Sequence, residues 1–188
     1  MFHVVGGGDY YKNCPGYRMA RELAGDSPRP LEQVKSDPHL NRLRRFRAEN
    51  VFVGKRNAED VKCGSARIDF APQARPRNDE GVAEDGHQLF ALCKHFGVNH
   101  LVYAGFAINW CLLMSPGGML EMSRRGIMCS ALRQAVTAVE NKETARHELA
   151  KKIGLWRVAL AFGFIVNVDD FVAAIARPAA PEPRECRS

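Results

Sequence analysis

No stretch of the 188 residues stays apolar for the ~18 positions that a membrane-spanning helix needs. The opening Met1-Phe2-His3-Val4-Val5 lacks the charged start and apolar core of a secretory signal. No CxxC or other paired spacing links the six cysteines at 14, 63, 93, 111, 129 and 186. Without an export signal, scattered thiols of this kind read as reduced, and the cytoplasm is the default compartment. Metal-ligand spacing is missing too: His3, His87, His95, His100 and His147 form no HxxxH pair. Neither a metal nor another cofactor is therefore expected. The glycines Gly6-Gly7-Gly8 follow an apolar start, but the Gly-x-x-x-x-Gly-Lys-Ser/Thr order of a phosphate cradle is absent, which leaves a flexible loop.

What is present is an ordinary globular composition, 46% hydrophobic and 26% charged, at a length that suits one domain with a proper core. The net charge of +6 is unevenly placed. Residues 1–78 carry 15 Lys and Arg against 9 Asp and Glu, while residues 79–188 carry 12 of each. The excess is densest at Arg42, Arg44, Arg45 and Arg47. Such a stretch can attract nucleic acid or anionic substrates. It has no aromatic stacking pattern and no recognition-helix grammar, so a solvated face is the reading, with no nucleic-acid and no membrane partner.

Along the chain, Phe2 to Val5 reads as a strand, Arg18 to Leu23 as a short helix and His39 to Phe46 as another. Val51-Phe52-Val53 reads as a short strand halted at Gly54, and residues 55–81 as a long loop or insertion. Val82, Leu89, Phe90, Cys93 and Phe96 form one helical stripe stopped by Gly97. His100 to Ala104 reads as a strand buried on both faces, and Ile127 to Leu132 as the next. Ala145, Leu149, Ile153, Trp156 and Leu160 recur at helical steps and define the longest helix, with Asn141 as its N-cap. Phe164 to Val166 is a last strand, and Asp169 caps a final helix to Ile175. The proline-containing tail 177–188 has little to bury and is expected to be disordered. Alternating strands and helices imply an α/β fold of three layers around a mostly parallel sheet. Ligands bind such sheets beyond the carboxyl ends of the strands.

Cys111 stands at that edge. It follows the strand 100–104 and the turn Gly105-Phe106-Ala107-Ile108-Asn109-Trp110, and it opens a helical pattern at Leu112-Leu113-Met114. A cysteine in the first turn of a helix sits in a positive dipole field that favours the nucleophilic thiolate. The same residue also reads as a small buried hydrophobe.

Gly105-Phe106-Ala107-Ile108-Asn109-Trp110-Cys111-Leu112 resembles the nucleophile turn of the isochorismatase-like cysteine hydrolases, which include nicotinamidases and N-carbamoyl amidohydrolases. The likeness continues through Met122 to Ile127 and Phe162 to Val166, covering roughly residues 80–176. It implies a single isochorismatase-like domain over 1–176 that hydrolyses a C–N bond of a small amide through Cys111. It also implies an oxyanion hole from the backbone N–H groups of Ala107 and Cys111, and a cis peptide at Phe106-Ala107. The resembled family takes its general base from an aspartate on a strand preceding the one at Phe2, so the first strand is expected to be missing. Asp69 and Asp9 are the substitutes at hand. The lysine that the family carries at the end of a middle strand falls on Lys55 by local setting, or is replaced electrostatically by Arg77 by chain distance. A homo-oligomer is implied, and the substrate is left open because the superfamily also cleaves the vinyl ether of isochorismate without the thiol. The alternative is a catalytically compromised homologue that serves as an oligomer partner or binding module.

Overall fold

The computed structural model describes residues 1–51 and 53–177. The chain forms two compact units, Met1–His95 and the part from Phe96 on. Both are α/β, and every strand pair in them is parallel. Among the described residues, no helix is long and apolar enough to cross a membrane.

In the first unit, strand β1 (Phe2–Val4) pairs with β2 (Gly81–Ala83), and Val5 extends the ladder by donating to the Ala83 carbonyl at 2.9 Å. Between them come helices α1 (Pro15–Ala24), α2 (Pro38–Asn50) and α3 (Gly54–Ser65), and α4 (Gly86–His95) follows β2. Pro15 starts α1 where no intrahelical donor is needed, and Gly16, Tyr17 and Ala20 form its buried face. Gly16 must be glycine, because a Cβ there would run into the Glu80 carbonyl oxygen. The core gathers Tyr11, Tyr17 and Val82, with Leu89, Leu92 and Cys93 buried on α4. Asp85 caps α4 by accepting from the Gln88 N–H at 2.8 Å.

Helices α2 and α3 bury no residue, and α2 is capped by Asp37, which accepts from the Leu40 N–H at 2.7 Å. The strand expected at 51–53 is not found. Val51 caps the end of α2 and Val53 precedes α3, while Phe52 lies outside the described residues. Residues 54–65 are helical where a loop was expected, because nothing in that run breaks a helix until the Ser65-Ala66 end. Val82 belongs to β2 and not to the helical stripe. Three residues are too few to show a strand period, and the strand is recognisable only by its partner.

In the second unit, β3 (His100–Phe106), β4 (Met128–Thr137) and β5 (Ile165–Val166) form a sheet in that order. Helices α5 (Cys111–Met114) and α6 (Met119–Arg124) connect β3 to β4, α7 (Leu149–Ala161) connects β4 to β5, and α8 (Val168–Ile175) follows. Strand β3 is an edge strand on which only Tyr103 is fully buried, so the expectation of burial on both faces is corrected. β4 runs five residues past the expected end at Leu132, pairing Gly105 with Val136 and Phe106 with Thr137 after a register shift. The buried Ser130 hydroxyl accepts from the Phe164 N–H at 2.8 Å and lies 2.7 Å from His100 Nε2, joining all three strand regions.

The helix read as the longest starts later than its sequence reading, and at 13 residues it equals α2 in length. Glu148 adopts a left-handed conformation (φ 49°) that separates a short 3-10 turn at Ala145–His147 from α7. Asn141 caps that earlier turn by accepting from Glu143 and Thr144, whereas the first amides of α7, on Ala150 and Lys151, donate to the Glu140 carboxylate. Gly154, Leu155 and Val158 face the core, while Leu149, Ile153, Trp156 and Leu160 are exposed. The final helix is preceded by Asn167 as N-cap, with Asp169 inside its first turn. The tail expected to be disordered lies outside the described residues beyond Arg177.

Candidate active site

The turn from Gly105 to Cys111 is built at the carboxyl end of β3. Gly105 takes φ +115°, a conformation that side-chain-bearing residues rarely adopt, and lets the chain leave the sheet. The Phe106–Ala107 peptide is cis. The Ile108 N–H then donates to the Thr137 carbonyl at 2.8 Å, fixing the turn to the end of β4. The Ala107 carbonyl accepts from both Trp110 N–H (3.0 Å) and Leu112 N–H (3.1 Å), folding the chain back so that Cys111 becomes the first residue of α5. Asn109, which the sequence reading passed over, supports this from outside. Its side-chain amide donates to the Val139 carbonyl and accepts from the Val139 N–H, each at 2.9 Å.

Cys111 is exposed, and so are its neighbours Phe106, Trp110 and Met114. The reading of Cys111 as a buried hydrophobe is therefore set aside. Helix α5 is one turn long, ended by Ser115 donating to the Cys111 carbonyl at 3.1 Å, so the dipole field at the thiol is that of a single turn. The Cys111 N–H lies at the first helical position, where no intrahelical acceptor exists. Ala107 is fully buried beside the exposed residue Phe106. Below the turn, the Tyr103 hydroxyl donates to the Gly117 carbonyl at 2.9 Å, and the Glu121 carboxylate accepts from Gly117 N–H and pairs with Arg125. These bonds hold the Ser115–Gly118 break that separates α5 from α6.

The other residues singled out from sequence belong to the first unit. Lys55 is an exposed residue in the first turn of α3 and not at a strand end, so the local argument for it falls. Arg77 is exposed, and its backbone N–H donates to Glu80 at 2.9 Å. Asp69 accepts from the Phe70 N–H (2.7 Å) and from Arg75 (2.6 Å), and these contacts hold its carboxyl below the ordinary range. A carboxylate so occupied is a poor proton acceptor. Asp9 pairs with Lys12 at 2.6 Å. Arg42, Arg44, Arg45 and Arg47 are all exposed on α2.

A group that sequence reasoning missed is Glu84, at the carboxyl end of β2. Its carboxylate accepts from the hydroxyls of Tyr11 and Tyr17, both at 2.9 Å, and from the Gln88 amide at 3.1 Å. Burial opposes its ionisation, but these donors outweigh it and hold the carboxyl below its usual value. Burial first and the Glu84 hydrogen bond second push the Tyr11 hydroxyl up to about 12. Only recognition of β2 would have drawn attention to Glu84. Once that strand is seen, the residue at its carboxyl end is an acid, Glu84. Among the described residues, no group of three or more His, Cys, Asp or Glu side chains is arranged to hold a metal ion.

No family model matches the chain, and no curated protein does. Solved structures do. One is an isochorismatase-like hydrolase from Alkaliphilus metalliredigens, at 18% identity over 57% of this chain and 57% of that one, with a TM-score of 0.46. Another is a cysteine hydrolase from Pseudomonas syringae pv. phaseolicola 1448A, at 16% identity over 70% of this chain and 63% of that one, with a TM-score of 0.49. This chain thus spans about 60% of the length of the solved structures it matches. At these values, neither likeness carries a reaction over to this chain.

Proposed function

We propose that the protein is a cysteine hydrolase that cleaves the C–N bond of a small amide through Cys111. The observation that carries this reading is the placement of Cys111. It is an exposed thiol at the start of a helix just beyond the carboxyl end of a parallel strand, on a turn tied to the end of β4. In the reaction, the thiolate attacks the carbonyl carbon and the carbonyl electrons move onto oxygen. The N–H groups of Cys111 and Ala107 stabilise that oxyanion. Its collapse breaks the C–N bond, the amine leaves with a proton, and water then hydrolyses the thioester to release the acid and the thiolate. The general base is unassigned in this reading, because Asp69 and Asp9 are engaged elsewhere.

The test is a panel of small primary amides and N-carbamoyl compounds, with mass spectrometry of the quenched protein. An acyl adduct on the peptide containing Cys111, and loss of turnover in Cys111→Ala, are expected. Turnover that survives Cys111→Ala overturns the reading.

A second reading, a catalytically compromised homologue acting as a binding module, is favoured by one specific observation. The two carboxylates offered as general base, Asp69 and Asp9, are each held in an ion pair, with Arg75 and Lys12. Substrate binding without an adduct or turnover distinguishes it.

A further inference from the structure

Strands β4 and β5 and helix α7 carry charge of a single sign. Together they hold four cationic residues, Arg133, Lys151, Lys152 and Arg157, and no acidic one. A groove of about 260 Å³ between these elements is lined by Arg133, Lys152, Leu155, Trp156, Ala159 and Ile165. Lys152, Trp156 and Ala159 recur at steps of four and three, which sets them in one row along α7. On the sheet side, Ile165 is the parallel partner of Ala131, and Arg133 follows two residues on. Lys151 is held by Glu148 at 3.2 Å. The Arg133 and Lys152 side chains, by contrast, are exposed and have no hydrogen-bond or ion-pair partner among the described residues.

We propose that this groove is a binding site for a small ionised carboxylic acid with an apolar ring. Arg133 and Lys152 supply two positive charges, one from the sheet and one from the helix. A guanidinium takes a carboxylate through two parallel N–H donors, and an ammonium adds a point charge. Leu155, Ala159 and Ile165, together with the Trp156 ring, give the body of the ligand an apolar surface to pack on. That combination decides the class. Inorganic phosphate would meet the cations but leave the apolar lining unused, and a neutral amide would leave both cations unanswered. The volume falls just below the ~300–1,000 Å³ of drug-sized sites, so the ligand is about one ring with its carboxylate. Binding of so small a ligand is weak, about millimolar. It weakens further with salt, because both cations are exposed. No residue of the Gly105–Cys111 turn lines the groove, and the inference is independent of the chemistry proposed at Cys111.

The chain has two tryptophans, Trp110 next to Cys111 and Trp156 in the groove, so a nitrogen-15 correlation spectrum holds two indole N–H signals. Trp156→Phe assigns them. Titration of the full chain with benzoate should move the Trp156 signal saturably, with a dissociation constant of about 1–10 mM. Benzamide keeps the ring without the charge, and inorganic phosphate keeps the charge without the ring. Each should bind at least about tenfold more weakly than benzoate. Arg133→Gln and Lys152→Gln should each weaken benzoate by about three- to tenfold, with the rest of the spectrum unchanged because both side chains are exposed. The proposal is overturned if benzoate leaves the Trp156 signal in place, or if benzamide or phosphate moves it at the same concentrations. It is also overturned if the double variant of Arg133→Gln and Lys152→Gln binds benzoate like the wild type. A saturable response to a glutamate-rich peptide with none to benzoate overturns it too, and assigns the groove to a protein partner.

Discussion

The side-chain amide of Asn109 pairs with the backbone of Val139 through two hydrogen bonds of 2.9 Å, donating to its carbonyl and accepting from its N–H. A side chain thus acts as a rung of the ladder where β3 and β4 have parted, two residues before Cys111. Asn109→Ala should cost the second unit about 1–2 kcal/mol, because both backbone groups of Val139 lose a partner at a partly solvated position. Asn109→Asp should cost as much, because it removes the donor and sets a carboxylate against the Val139 carbonyl. Urea titration measures both. If both variants unfold at the wild-type midpoint, the clamp has no mechanical role.

The cysteines should separate by exposure under limited iodoacetamide treatment. Cys93 and Cys129 are buried, and burial pushes the Cys93 thiol up to about 11, so both should be nearly inert in the folded protein. Cys111 and Cys63 are exposed and should label first. The hydrolase reading requires Cys111 to outpace Cys63, whose thiol lies 3.9 Å from the Glu59 carboxylate. Peptide mapping at early times decides it. Labelling of Cys93 as fast as Cys111 would contradict the burial order itself.

The turn around Cys111 was legible because its signal is local. A strand, a glycine that needs positive φ and a following helical pattern all lie within the fifteen residues from His100 to Met114. Strand β2 was not legible, since three residues show no period and its partner is 79 positions away, Phe2 against Gly81. That omission hid Glu84, whereas the reading of Val51-Phe52-Val53 as a strand is what set Lys55 at a strand end. The α7 stripe located a helix but not its buried face. A helix with two apolar faces gives a clear period but does not say which face the sheet covers, and the covered one is marked by small Gly154 in close contact with Ile108. Helix boundaries near 140–149 were lost to a long-range cap, because Glu140 serves amides ten and eleven residues ahead.

The Glu84 cluster gives the first unit a pH window. Glu84 has a folded value below its ordinary 4.5, so its contribution is present above about that pH. It is lost as pH falls through the lowered value, when the protonated acid no longer attracts two hydroxyl donors. Tyr11 is displaced upward, from 10.0 to about 12. Between those values the unfolded chain releases a proton that the folded one keeps, so stability falls as pH rises through that interval. Thermal melting across the pH range should show a plateau with loss at both ends. Tyr11→Phe should lower the plateau and flatten the alkaline decline. An alkaline limb unchanged by Tyr11→Phe would assign the decline to other groups.

Two glycine-to-alanine changes in helices should act with opposite sign. In α7, a Cβ at Gly154 would lie 2.9 Å from Ile108 Cγ2 and 3.3 Å from the Ile108 carbonyl carbon and oxygen. Ile108 is itself fully buried and anchored to Thr137, so little can give way. Gly154→Ala should therefore cost about 1–3 kcal/mol despite alanine's higher helix propensity. The strain falls on the residue next to the Phe106–Ala107 peptide, so under the hydrolase reading turnover should drop as well. Gly64, near the end of α3, meets nothing within 4 Å and has an ordinary backbone angle. Gly64→Ala should stabilise the first unit by about 0.5–1 kcal/mol through helix propensity and lower unfolded-state entropy. Denaturant midpoints of the two variants, read against the wild type, measure the contrast. Equal small effects would mean that α7 can move away from Ile108 freely, and the close packing beneath the Cys111 turn would not be holding it.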